Sequence, residues 1–326
     1  MADREKELRA GVEAVRAAAR VCVEVQAKLV TADTLEKKDK SPVTVADFAS
    51  QAIVCSLLAR ALPGDRVVGE EDAADLRPDE NAALRAAVVE RVSSELGEAT
   101  PEARVLDAID LGGAAAEGDR YWTLDPIDGT KGFLRGEQYA VALGLIEGGE
   151  VTLGILGCPN LPFDGGRGAL FVGGRGVTAR TFPLVDAAST GSEIRVAEPA
   201  GVAQARFCES VESGHSDQSQ SQEIARRLGI TTEPHRIDSQ CKYAAVSRGD
   251  ASIYLRLPTR KDYREKIWDH AAGKAVVEAA GGRVSDVDGR ALDFTHGRTL
   301  EHNRGIIATS GSIHDEVLAA VRATLG

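Results

Sequence analysis

The chain reads as an α/β protein, an α+β N-terminal half followed by an α/β C-terminal half. Three observations carry that reading. Apolar residues recur at helical spacing through residues 4–30, two strand patterns flank Gly148-Gly149, and strands alternate with helices after residue 192. At 326 residues there is length for two domains. The polar stretch within 184–192 places the division, giving residues 1–187 and 188–326.

In chain order, Leu8, Val12, Val15, Ala19, Cys22 and Val23 mark the inner face of a first helix over 4–30. The polar run Thr31 to Pro42 breaks it. A second helix starts near Val45, turns Val54, Leu57, Leu58 and Ala61 inward, and stops at Pro63-Gly64. Arg66-Val67-Val68 reads as a short strand entering Gly69-Glu70-Glu71-Asp72. A third helix is expected over 80–96 and a Gly/Ala-rich loop over 97–119. From Tyr121 the period becomes that of strands: 121–124, then 139–147 and 150–157 as a hairpin, then a second hairpin over 168–183. Later strands are expected at 193–197, 205–211 and 250–257, and helices at 217–228, 239–247 and 268–280.

Composition excludes several partners. Fifty acidic against 39 basic residues give a net charge of -11, so the basic footprint of a nucleic-acid or anionic-membrane binder is missing. An aromatic share of 4% leaves few rings for stacking on single-stranded bases. An acidic protein can still take an anionic substrate where metals or local cations reverse the field. The five cysteines are odd in number and form no C-x-x-C pair, which argues against a disulfide framework or zinc site and for a reducing compartment. With no run of 18 apolar residues and a polar start, the expectation is a soluble protein of the cytoplasm, or of an organelle if a transit peptide has been removed.

Asp125 and Asp128 follow the apolar strand Tyr121-Trp122-Thr123-Leu124 and sit in a turn stiffened by Pro126 and closed by Gly129. Two carboxylates three residues apart, with the Ile127 carbonyl between them, can converge on a hard cation; an ordinary Asp-Gly turn at a strand end reads the same way. Glu70-Glu71-Asp72 is a second acidic cluster after a strand. Asp47 falls in the first turn of the second helix and Asp269 opens the helix at Trp268-Asp269-His270. Either could equally compensate a helix dipole.

Residues Ser41 to Gln51, Gly69 to Asp72, Trp122 to Gly136 and Trp268 to Gly282 resemble, in order and spacing, the motif set of the lithium-sensitive, magnesium-dependent phosphatases. That superfamily includes inositol monophosphatase and fructose 1,6-bisphosphatase. Lys40 to Asp47, Asp125 to Gln138 with Thr130 to Gly136 inside it, Arg236 to Tyr243, and Tyr254 to Pro258 followed by Tyr263 to His270 look like its bisphosphate nucleotidase branch. The resemblance implies a layered αβαβα sandwich. It implies one Mg²⁺ on Glu70, Asp125 and the Ile127 carbonyl, a second on Asp125, Asp128 and Asp269, and room for a third near Glu70 and Asp47. Asp47 and Thr130, hydrogen-bonded to each other in the family, would align and deprotonate the attacking water, and Glu71 would orient Glu70.

The implied reaction removes the 3'-phosphate of adenosine 3',5'-bisphosphate to give AMP, with 3'-phosphoadenosine 5'-phosphosulfate also accepted, lithium inhibitory, and sulfur assimilation as the context. A substrate with two anionic groups needs a cationic site remote from the metals, for which Thr130, His215, Ser239, Lys242 and Arg256 are the candidates, with Lys131 and Arg264 nearby in the matching segments. Ser239 and Lys242 begin a predicted helix, whose N–H groups also favour phosphate. An inositol polyphosphate 1-phosphatase, an inositol monophosphatase and a catalytically silent nucleotide sensor stay open as alternatives. The partner is a small-molecule nucleotide rather than nucleic acid or membrane, and the chain is a monomer or homodimer.

Overall fold

The computed structural model of the protein describes residues 4–29, 41–185, 190–211, 218–258, 260 and 262–326. Helices α1 (Glu5–Leu29) and α2 (Ser41–Ala61) form the outermost layer. Beneath them lies a seven-stranded sheet in simple sequential order: β1 (Val67–Gly69), β2 (Arg120–Asp128), β3 (Ala140–Glu147), β4 (Glu150–Phe163), β5 (Gly166–Gly174), β6 (Val177–Pro183) and β7 (Ser192–Glu193). Only β1 and β2 run parallel; every later neighbour is antiparallel, as hairpins require. Ala14, Ala18 and Cys22 of α1 and Ala49 and Ile53 of α2 bury against Trp122, Leu124, Leu143 and Ile155 on the near face.

A middle layer holds α7 (Cys241–Arg248) and α8 (Ala271–Ala279), and a second sheet follows in the order β11 (Gly282–Ser285), β12 (Ile306–Ser310), β10 (Ile253–Arg256), β8 (Phe207–Glu209), β9 (His235–Arg236). Helices α6 (Gln218–Leu228) and α9 (His314–Leu325) close the far side, where Ile224, Val317 and Val321 meet Phe207, Leu255 and Ile307. The five layers are the αβαβα sandwich that the sequence motifs imply. The large sheet takes its strands from residues up to Glu193 and the small one from Phe207 onward.

One seam between helix and sheet fixes where the middle layer sits. Gly144, Gly154 and Gly173 are direct cross-strand partners on β3, β4 and β5, so they make a row across the sheet. Helix α8 lies in that row with its small residues down. A Cβ at Gly144 would come within 2.9 Å of Ala271 Cβ, one at Gly154 within 2.3 Å of the Ala272 carbonyl oxygen, and one at Gly173 within 2.9 Å of Ala279 Cβ. The helix therefore rests on the strands' own backbones, with its first turn over Gly144 beside Thr123 of β2.

The fold departs from the sequence pattern in definite places. Residues 97–119 contain α4 (Glu102–Asp110), with Val105, Ala108 and Ile109 buried at i, i+3, i+4 and Glu102 in the first turn; the Gly/Ala-rich stretch after it hid the period. A short helix, α5 (Thr130–Leu134), follows β2, and α3 (Ala82–Leu96) matches the expected third helix. The strands β9, β11 and β12 and helix α9 were not anticipated, although β12 is buried throughout. The strands expected at 205–211 and 250–257 shorten to three and four residues.

Candidate metal centre

Asp125 and Asp128 do not follow the strand; they lie within β2. Three residues apart, they would point to opposite faces of a regular strand. The register slips here instead: Asp125 pairs with Ala142 and Asp128 with Ala140, three residues of β2 against two of β3. This bulge puts both aspartates on the α8 face, where Ala140 and Ala142 are buried. The Pro126 carbonyl accepts from Ser50 Oγ at 3.0 Å, and Asp125 Oδ1 accepts from the Ile127 N–H at 3.1 Å. Gly129, at φ +96, turns the chain into α5, so Thr130 heads that helix.

Three other elements complete the cluster. Glu70 follows β1, whose parallel pairing sets Gly69 against Leu124. Gln51 of α2 clasps this corner, donating to the Glu71 carbonyl at 2.5 Å and accepting the Glu71 N–H at 3.0 Å. Asp47 lies in the second turn of α2, not the first, because the helix begins at Ser41. Asp269 precedes α8 rather than opening it, with His270 at the cap position. Neither acid therefore sits where a simple helix-capping role would put it.

The carboxylates crowd one another. Burial drives Asp125, 3% exposed, far above the ordinary carboxylate range, and Glu70, Asp128, Asp269 and Asp47 each push it further. Burial likewise raises Asp47, with Glu71 and Glu70 adding to it. Glu70 reaches solvent as a residue, yet its carboxyl is raised by burial and by Asp128 while sharing a hydrogen bond with Asp125. Asp269 is pushed up to about 8 by burial, Arg256 opposing and Asp128 and Glu70 adding. Glu71 is pushed up to about 7 by burial and by Glu70. Asp72 plays another part, its side chain capping the turn at Ala74 N (2.8 Å). An all-oxygen donor set held against its own repulsion fits a hard divalent cation such as Mg²⁺.

Cations line the other side. A pocket of about 330 Å³ is walled by Asp128, Thr130, Lys131, Asp238, Arg256 and Asp269. Arg256 Nη2 stands 3.8 Å from Asp269 Oδ2. Lys242 is buried, its Nζ 3.2 Å from Ser210 Oγ and 5.3 Å from the Tyr254 ring centre; burial lowers its pKa and Asp128 opposes that. The cationic site expected to be remote is thus drawn against the acids themselves. The head of α7 is also engaged: Gln240 N–H donates to Asp128 Oδ2 at 2.5 Å and Cys241 N–H to Ser239 Oγ at 3.1 Å. Ser239 holds a left-handed φ of +65 to do so. Arg264 points away, 3.6 Å from Glu301. His215 lies outside the described residues. Asp47 and Thr130, among the described residues, share no hydrogen bond: Asp47 faces Glu70 and Glu71, whereas Thr130 is exposed at the pocket.

The inositol monophosphatase family pattern matches residues 3–325. The chain belongs to the inositol monophosphatase family. Members of that family are metal-dependent, usually on Mg²⁺. A protein of Emericella nidulans named 3'(2'),5'-bisphosphate nucleotidase is 46% identical over 321 residues, covering 90% of this chain and 91% of that one. Proteins of the same name from Schizosaccharomyces pombe (43%, covering 98% and 96%) and Oryza sativa (42%, covering 97% and 93%) are similar throughout. Among solved structures, the inositol monophosphatase of Anabaena aligns over 99% of this chain and 97% of its own with a TM-score of 0.64 at 20% identity. That of Zymomonas mobilis aligns over 99% and 100% with a TM-score of 0.65 at 19% identity, and both show the shared fold.

Asp238 of the pocket wall and its ion-pair partner Arg135 carry no sequence signal of their own. Arg135 bridges Glu137 Oε2 (2.6 Å) and Asp238 Oδ2 (2.5 Å), tying the segment after α5 to the turn before α7. Asp238 also accepts the Val211 N–H at 3.0 Å. Both residues lie in motifs already singled out, Thr130 to Gly136 and Arg236 to Tyr243, but nothing local pairs them. All five cysteines are buried and free, and among the described residues no helix is long and apolar enough to cross a membrane.

Proposed function

We propose that this member of the inositol monophosphatase family is a Mg²⁺-dependent phosphomonoesterase removing the 3'-phosphate of adenosine 3',5'-bisphosphate to give AMP and phosphate, and acting also on 3'-phosphoadenosine 5'-phosphosulfate. The observation that carries it is the convergence of Asp47, Glu70, Asp125, Asp128 and Asp269 beside Arg256 and Lys242. The names borne by relatives at 42–46% identity support the same substrate. Buried Lys242 and half-buried Arg256 flanking the acids suit a substrate with a second anionic group, which an inositol monophosphate lacks.

In this reading Glu70, Asp125 and the Ile127 carbonyl hold one Mg²⁺, and Asp125, Asp128 and Asp269 hold a second, with a weaker third position near Glu70 and Asp47. Bound there, the ions supply an acidified water at neutral pH and charge neutralisation at the leaving oxygen. Asp47 takes the proton of the attacking water and Thr130 orients it; Glu71 adds the charge that keeps Asp47 basic. Lys242 and Arg256 neutralise the remaining phosphate, with Ser239 and His215 as further contacts. Residues 1–187 form the metal-binding half and 188–326 the half that supplies Asp269 and the nucleotide contacts.

The test is phosphate release from adenosine 3',5'-bisphosphate with and without Mg²⁺, followed by a Li⁺ titration and a comparison with inositol 1-phosphate. Turnover that is independent of Mg²⁺, or that favours the inositol ester, defeats the proposal.

A further inference from the structure

A second polar chain runs behind the pocket, and the proposed phosphatase chemistry makes no use of it. The Tyr243 hydroxyl meets His270 Nδ1 at 2.8 Å, His270 Nε2 meets Glu265 Oε2 at 3.1 Å, and the same Glu265 oxygen accepts from Arg256 Nε at 2.7 Å. Tyr243 and His270 are fully buried and Glu265 is 5% exposed, so the contacts are shielded from water and from salt. Tyr243 is itself wedged: a Cβ at Gly273 of α8 would come within 2.3 Å of its ring. Glu265, Asp269 and His270 bring three possible ligand atoms within 4.8 Å, the outward look of a metal site. A guanidinium and an imidazole already engage Glu265, which makes the trio a bracket for an arginine rather than a cage for a cation.

Without that bracket Arg256 has other places to go. Its Nη2 lies 3.8 Å from Asp269 and 3.3 Å from the Tyr263 hydroxyl, and its guanidinium is 5.9 Å from the Tyr263 ring centre. Anchoring at Nε fixes the plane of the fork and keeps the Nη groups at the pocket wall, which is the arrangement that binds a phosphate with least ordering cost. We infer that Glu265, set in place by His270 and Tyr243, is a positioning residue that holds Arg256 for the second anionic group of the substrate, and this role rests on the proposed bisphosphate activity.

Steady-state kinetics of Glu265→Gln, which keeps size and an acceptor but loses the charge, test it against two nucleotides. For adenosine 3',5'-bisphosphate the KM rises about tenfold with kcat within about twofold, the scale of one charge-assisted hydrogen bond. For adenosine 3'-phosphate, which lacks the second group, both constants stay put. In an Arg256→Met background Glu265→Gln has no further effect, since a residue acting through another is silent once the other is gone. Tyr243→Phe, removing one hydroxyl, shifts KM the same way by about threefold and serves if Glu265→Gln does not fold. An equal KM rise for both nucleotides, a fall in kcat alone, or additive effects with Arg256→Met overturns the inference. A wild-type protein inactive on both nucleotides overturns the proposed function, and this inference with it.

Discussion

The backbone N–H of Gln240 donates to Oδ2 of Asp128 at 2.5 Å, joining the head of α7 to the bulged strand of the other sheet. Lys242, two residues on, adds its charge to the same carboxylate: burial raises Asp128, and Lys242 is the largest influence opposing that. Acid and cation belong to separate sequence motifs; the fold makes them neighbours.

Lys242→Met should therefore raise KM for adenosine 3',5'-bisphosphate by about tenfold to a hundredfold, the range for losing a buried charged partner. Inositol 1-phosphate, with one phosphate only, should be far less affected. Parallel Michaelis–Menten measurements on the two substrates check this.

Asp125→Asn should trade activity for stability. In the folded chain burial and four neighbouring acids raise Asp125, so the fold holds a proton that the unfolded chain has released; stability falls as pH rises out of the carboxylate range, and at neutral pH the group works against folding. The variant should melt higher than wild type in chelator and lose phosphatase activity. Wild type should gain about 2.7 kcal/mol when Mg²⁺ reaches about a hundred times its Kd; the variant should gain far less. Thermal melts with and without Mg²⁺ decide it.

Asp47→Asn should lower kcat by a hundredfold or more, the usual range for losing a general base being about 10²–10⁴. Most Mg²⁺ binding should survive, because the proposed principal ligands are untouched. Calorimetric Mg²⁺ titration beside the kinetics separates the two effects, and near-normal turnover would remove Asp47 from the mechanism.

His314 gives a pH dependence far from the site. It is fully buried between Thr309 Oγ1 (2.8 Å) and Ser285 Oγ (3.0 Å), and burial, then Arg283, lowers its pKa from 6.5 to about 4. The unfolded chain takes the proton first as pH falls. The contribution is whole above about pH 6.5 and drains away toward about pH 4. His314→Gln should flatten that part of the Tm-against-pH curve.

Gly154→Ala should destabilise the protein by about 1–3 kcal/mol, because the new methyl meets the Ala272 carbonyl and backbone on both sides resists moving. Chemical denaturation measures the loss. A change within about 0.5 kcal/mol would mean that α8 shifts freely.

Much of the site could be read from the chain because carboxylates at strand ends stand out against apolar flanks: Glu70 after β1 and Asp125 and Asp128 on β2 are local patterns. The bulge that turns Asp128 to the face of Asp125 is not local, since it exists only in the register with β3. Gln51 looked like one polar residue of a helix, yet it also donates to the Ile109 carbonyl at 2.9 Å, binding α2 to the end of the overlooked α4. Arg256 was legible as a cation and Glu265 was not legible as its anchor, because nothing periodic in the intervening segment pairs them. The hairpins followed from Gly148-Gly149, whereas β12, paired with β10 and β11, depends on partners distant in sequence.

The row formed by Gly144, Gly154 and Gly173 bears on how variation in this chain is judged. Those positions carry no charge, no hydroxyl and no reactive atom, and a score based on chemical character would pass an alanine there as mild. The alignment of Asp269 with Asp125 nevertheless rests on hydrogens where other residues have carbon. The thickness of one methyl group is enough to lift the helix that follows Asp269 off its seat. Harm to this phosphatase's chemistry can therefore arise in the most inert part of its sequence, through nothing more than added bulk.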